Sequence, residues 1–172
     1  MNVTVVGIGS PFGMDRLGWQ VIDYLKRQHQ MTSSVKANVN LVCCDRPGMA
    51  LLDFIKDADL AILVDAVLGG AAGTIHQLEV GQWDQLKQSD SPFSSHDVGV
   101  AETLTLGDKL NMLPERIVLY GIEVGGVPQD DNNMYGDSNN NTCNTYHDVD
   151  KAVRLVSDRI MITISKSLTV VQ

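Results

Sequence analysis

The sequence predicts an α/β protein: a three-layer α/β/α sandwich around a mostly parallel sheet with an antiparallel edge strand. Three observations predict it. From Val3 to Gly18 the chain passes from a short β-branched apolar run, through a loop rich in Gly and Pro, into an amphipathic run, the pattern of strand, loop and helix. Leu60 to Val64 is apolar without alternation, as in a strand covered by helices on both faces. Runs with strand character also alternate with runs of helical period along the chain, which is how layered α/β domains are built.

The elements follow in order. The first helix runs from Leu17 to about Gln28. Val39 to Cys43 reads as a second strand, ending at the turn Asp45-Arg46-Pro47-Gly48. Met49 to Ile55 is a short helix, and Leu60 to Val64 a buried strand that ends at Asp65. After the turn Gly69-Gly70-Ala71-Ala72-Gly73, Thr74 to Val80 alternates as a strand. The connection is too short for a parallel crossover, so this strand is expected antiparallel at an edge. Ser89 to Ser95 is loop. Val98 to Met112 reads as a helix with Val100, Ala101, Leu104 and Leu110 inward, and Arg116 to Glu123 as a strand. Asp130 to Asn144 is polar, Asn-rich and aperiodic, and reads as a weakly ordered loop. Asp148 to about Lys166 carries Val149, Ala152, Val153, Val156, Ile160 and Ile164 on one stripe, an amphipathic helix with Thr145 and Asp148 placed to cap its start.

With 172 residues the chain fits one domain, residues 1–172, with a sizeable core. A net charge of −8 and a pI near 4.7 argue against nucleic acid, because phosphate binding needs a basic footprint. No apolar run is long enough for a membrane helix. The N-terminal apolar run lacks a basic region before it and turns straight into a glycine loop, so a cytoplasmic location is expected. The three cysteines lack a CxxC spacing, and Cys43 and Cys44 read as buried reduced thiols.

Asp15 follows the first strand, Asp65 the central strand, and His96 precedes a helix. In an open α/β sheet the carboxyl ends of neighbouring strands share one crevice, where two carboxylates and an imidazole suit a borderline divalent metal such as Zn²⁺ or Ni²⁺. Taken singly, each residue also fits a capping role. The spacing Gly7-x-Gly9-x-x-x-Gly13 has a competing reading as a dinucleotide loop with Asp45 on a ribose, but Pro11 and Phe12 stiffen and fill the loop where a pyrophosphate needs open amides. His29 and His76 lack a carboxylate or Cys partner at metal spacing and read as exposed. No Gly-x-Ser-x-Gly elbow is present.

Four motifs, in order, carry a resemblance. They are Gly7-Ile8-Gly9-Ser10 with Gly13-Met14-Asp15-Arg16-Leu17-Gly18, Leu63-Val64-Asp65-Ala66-Val67 with Gly73-Thr74-Ile75, Ser94-Ser95-His96-Asp97-Val98-Gly99 with Leu104, and Leu119-Tyr120-Gly121-Ile122-Glu123. Together the chain resembles the hydrogenase maturation endopeptidases, which remove the C-terminal tail of the large subunit of nickel–iron hydrogenases. The resemblance implies that Asp15, Asp65 and His96 are the metal-contacting triad. They would engage nickel already inserted in the large-subunit precursor, and can also hold a divalent ion, nickel or zinc, in the free protease. It implies a large-subunit precursor as partner, and a monomer is favoured. The chain departs from the family pattern at Ser10 (usually Asn), Met14 (usually acidic), Arg16 (usually Gly) and the Ala71-Ala72-Gly73 turn (usually with Pro). The Asp130 to Asn144 segment is also longer than the family's, and no Leu-Ser-Pro precedes the last helix. Those departures motivate an alternative, a non-cleaving nickel-checkpoint or binding module of the same fold.

Overall fold

The computed structural model describes residues 1–31, 38–79, 99–125 and 141–169. The chain runs through β1 (Asn2–Gly9), a 3-10 turn (Gly13–Arg16), α1 (Leu17–Met31), β2 (Asn38–Asp45), a second 3-10 turn (Gly48–Ala50) and α2 (Leu51–Ile55). It continues through β3 (Leu60–Val67), β4 (Ile75–Glu79), α3 (Val100–Lys109), β5 (Arg116–Glu123) and α4 (Asn141–Thr169). The sheet order is β2-β1-β3-β5-β4. The first four strands in that order are mutually parallel, and β4 pairs antiparallel with β5 at the edge. The α/β architecture and its antiparallel edge strand match the expectation.

Alternation along each strand divides the core in two. On one face Val3 and Val5 of β1, Ile62 and Val64 of β3, and Val118, Tyr120 and Ile122 of β5 pack against α1 and α4. The expected stripe of α4, from Val149 to Ile164, is buried there throughout. On the other face Val6, Ile8, Ala61, Leu63, Val67, Ile117 and Leu119 meet α2 and α3. Each large apolar side chain so enclosed contributes about 1.5–3 kcal/mol.

The structure corrects several boundaries. β3 continues past Asp65, because Ala66 and Val67 are buried and pair with Ile122 and Glu123. Asp65 is therefore a strand residue. α4 already begins at Asn141, so Thr145 and Asp148 lie inside it and do not cap its start. Leu110 falls past the end of α3 and is 53% exposed, since the chain leaves the helical path that would have turned it inward. The Ser89 to Ser95 segment, and the Asp130 to Asn144 segment as far as residue 140, lie outside the described residues.

Candidate functional site at the carboxyl edge of the sheet

β1 connects to β2 on one side of the sheet and, through β2 and α2, the chain returns to β3 on the other side of β1. The boundary between β1 and β3 is thus the topological switch point, where open α/β sheets leave a crevice at the carboxyl ends of their strands. Asp15 and Asp65 flank it.

Asp15 is held by a tight return of the chain. Gly9 has a φ of 146°, and the Asp15 carbonyl occupies the place where a Cβ on Gly9 would stand. Only glycine tolerates this backbone and this approach. The Ser10 amide donates to that carbonyl at 3.2 Å, and the Asp15 Oδ1 lies 3.8 Å from the Gly9 Cβ position. The carboxylate therefore stands over the end of β1. The following 3-10 turn feeds α1, whose Gly18 presses on both strands: a Cβ there would lie 2.6 Å from the Val64 carbonyl oxygen and 2.8 Å from the Ile8 amide nitrogen.

Asp65 sits on the adjacent strand, one row beyond the Gly7–Val64 pair. Alternation puts it on the α2/α3 side with Leu63 and Val67. It is half-buried, and its Oδ1 accepts the Ala66 amide at 2.8 Å. Adjacent strands are about 4.8 Å apart, so Asp15 and Asp65 belong to one edge. His96 lies outside the described residues. Among the described residues, no three His, Cys, Asp or Glu side chains cluster to hold a metal ion.

Gly7 and Gly9 of the first loop are spent on close backbone contacts, whereas Gly13 serves its turn, with a φ of 58° and nothing within 4 Å of its Cβ position. A Cβ on Gly7 would meet the Gly18 backbone, with its carbonyl carbon at 2.6 Å, and Ile22 Cγ1 at 2.7 Å. The first amide after Gly9 is used by Asp15, and Asp45 is engaged by Arg46 at 3.0 Å. The first amide and the carboxylate that a dinucleotide reading would call on are thus both engaged within the chain. Phe12, expected to fill the loop, is instead 77% exposed, because the loop closes through Ser10 and Asp15 without it. Arg16 is exposed, and among the described residues no ion pair joins it to Asp15.

The thiols beside the crevice are poor nucleophiles. Cys43 and Cys44 pair with Gly7 and Ile8 of β1. Burial raises both thiols above their ordinary value, with a nearby Lys26 partly opposing the rise at Cys43, and a protonated thiol neither attacks nor ligates well.

One pair was not legible from sequence. His76, read as exposed and without a carboxylate partner, is half-buried, and its Nε2 lies 2.9 Å from Glu123 Oε1. The two are 47 residues apart in sequence and meet because β4 and β5 lie side by side. The side chain of His29 lies outside the described residues.

The HycI-type hydrogenase maturation protease family matches residues 19–134, more than half of the chain. The chain belongs to the hydrogenase maturation protease family. The matched segment contains Asp65 and His96 and begins four residues after Asp15. Among curated proteins the chain is similar to the hydrogenase expression/formation protein HupD of Thiocapsa roseopersicina, 28% identical over 124 residues, covering 71% of this chain and 54% of that one. It is also similar to HupD of Bradyrhizobium diazoefficiens, 25% identical over 130 residues, covering 71% and 62%. The chain thus spans between half and two thirds of the length of these relatives. Among solved structures, the hydrogenase maturating endopeptidase HybD from E. coli superposes with a TM-score of 0.61 at 18% identity, covering 95% of this chain and 94% of that one. This last likeness is one of fold.

Proposed function

We propose that the protein is an endopeptidase that removes the C-terminal tail of a nickel–iron hydrogenase large-subunit precursor after nickel insertion. The observation that carries the proposal is the placement of Asp15 and Asp65 on either side of the switch point, within the fold of this family. In this reading the two carboxylates and the imidazole of His96 engage the nickel of the substrate. His96 precedes Gly99, where α3 is about to begin, by three residues, a reach of about 10 Å. Hard oxygen donors and one imidazole suit a borderline divalent ion, and such a set leaves positions for the substrate's own ligands. The same residues would accept nickel or zinc in the free protein. The reaction is hydrolysis of one peptide bond of the precursor, with water as the second reactant. Action as a monomer in the cytoplasm belongs to the same proposal. Among the described residues no helix is long and apolar enough to cross a membrane.

A second reading is favoured by Met14. It stands where the family usually has an acidic residue, and it packs against the core beneath α1. A protein that senses nickel without cleaving would tolerate this change. Incubating the purified protein with a nickel-loaded large-subunit precursor separates the two. Loss of mass from the precursor's C-terminus supports the endopeptidase, and stable binding without loss of mass supports the checkpoint module.

A further inference from the structure

Glu123 is 2% exposed, yet the site described above does not use it. Three of its four polar groups act on one stretch of chain, residues 68–74, between β3 and β4, and the fourth meets His76 of β4. Its Oε2 accepts the Gly70 amide at 2.9 Å, and its Oε1 meets His76 Nε2 at 2.9 Å. Its carbonyl accepts the Gly73 amide at 2.8 Å, and its own amide donates to the Thr74 carbonyl at 2.9 Å. The fit at Gly70 is close, since a Cβ there would lie 2.8 Å from Glu123 Oε1. Burying a carboxylate is costly unless it is fully engaged, and this one is engaged by the Gly70 amide and by His76, beside the loop's own Thr74 amide to Ala71 carbonyl bond and the packing of Ala72 on the core. Residues 69, 70 and 73 are glycines, whose backbone freedom must be lost for the loop to hold one shape.

The loop leaves β3 two residues after Asp65, at the carboxyl edge. Gly69 and Gly70 are exposed, and nothing lies within 4 Å of a Cβ position on Gly69. Asp65, Gly121 and His76 share one row across β3, β5 and β4, and Gly121 places no side chain between the other two. Gly69 and Gly70 therefore present backbone without side chains near Asp65, on the β5 side. Bare backbone next to a cleft suits an extended peptide, which binds through its main chain.

We infer that Glu123 and His76 are positioning residues: they hold residues 68–74 in the shape that receives the extended tail of the precursor. The inference rests on the endopeptidase reading for the identity of that tail. Glu123→Gln keeps an acceptor for the Gly70 amide, whereas Glu123→Ala removes it. His76→Ala releases one side only and, at a half-exposed position, spares the fold. Three quantities decide: exchange of the Gly70 and Gly73 amides, affinity for a synthetic peptide of the precursor's tail, and KM and kcat for the nickel-loaded precursor. Loss of a hydrogen bond to a charged group predicts, for Glu123→Ala, faster Gly70 exchange, with peptide affinity and KM each worsened about tenfold and kcat little changed. Glu123→Gln should restore most of both, and His76→Ala should fall between and carry the test if Glu123→Ala does not fold. Open loop amides with peptide affinity and KM unchanged would overturn the inference and leave the endopeptidase reading standing. Wild-type protein that binds the peptide in a Glu123-dependent way but never trims the precursor would uphold the inference and remove the endopeptidase reading. Wild type that neither binds nor trims removes both.

Discussion

Gly7 of β1 and Gly18 of α1 lie backbone to backbone, so close that a Cβ on Gly7 would overlap the Gly18 carbonyl. The contact seats α1 on β1 and β3 at the level of the crevice and fixes where the preceding turn carries Asp15. Gly18→Ala would force a methyl group against the Val64 carbonyl and the Ile8 amide, which are backbone and cannot turn aside. Overpacking of this kind is expected to cost about 3 kcal/mol, read as a lower urea midpoint at unchanged m.

Asp65→Asn keeps an oxygen for the Ala66 amide and removes the charge. Stability should stay within about 1 kcal/mol of wild type. Divalent-ion affinity and precursor processing should each fall by at least ~100-fold, since even indirect supports of a metal ligand cost about 10–100-fold. His96→Ala should behave alike, with an unchanged melting curve. Calorimetric titration with nickel or zinc, beside a mass assay of the precursor, measures both. Wild-type ion affinity in either variant would take that residue out of the site.

The thiols predict a pH effect. Burial raises Cys44 and Cys43 in the folded protein, so folding favours the protonated thiol. The associated stability is fully present below the unfolded thiol pKa of about 8.5. It is lost as pH rises from there through the raised native values. Alkylation of Cys43 and Cys44 in the native protein should be slow at pH 7–8. Between pH 8 and 10 the urea midpoint of Cys44→Ala should fall less than that of wild type. Parallel curves would contradict this.

The two faces of α4 predict opposite sensitivities. Ile160 is fully buried, whereas Ile162 is 53% exposed. Ile160→Ala should cost about 2–5 kcal/mol, and Ile162→Ala no more than about 0.5 kcal/mol. Paired denaturation curves check the contrast.

Local period made most of the fold legible. The unbroken apolar run at Leu60–Val64 marked a strand covered on both faces, and the stripe from Val149 to Ile164 marked a helix face; both are buried. The short glycine turn from Gly69 to Gly73 marked an antiparallel edge strand, because so short a connection cannot cross a sheet. The placement of Asp15 and Asp65 at one edge was legible as well, since a strand that feeds a glycine loop delivers Asp15 to the carboxyl end of β1, next to β3. Period could not show that Gly7 and Gly9 serve close backbone contacts, that β3 runs on through Asp65 because Glu123 lies beside Val67, or that His76 has a carboxylate partner. Those facts belong to register. A strand's sequence states which side chains share a face, but which residues of another strand stand opposite them is decided only when the sheet assembles. His76 and Glu123 are 47 residues apart and meet because Gly121 pairs with both Asp65 and His76.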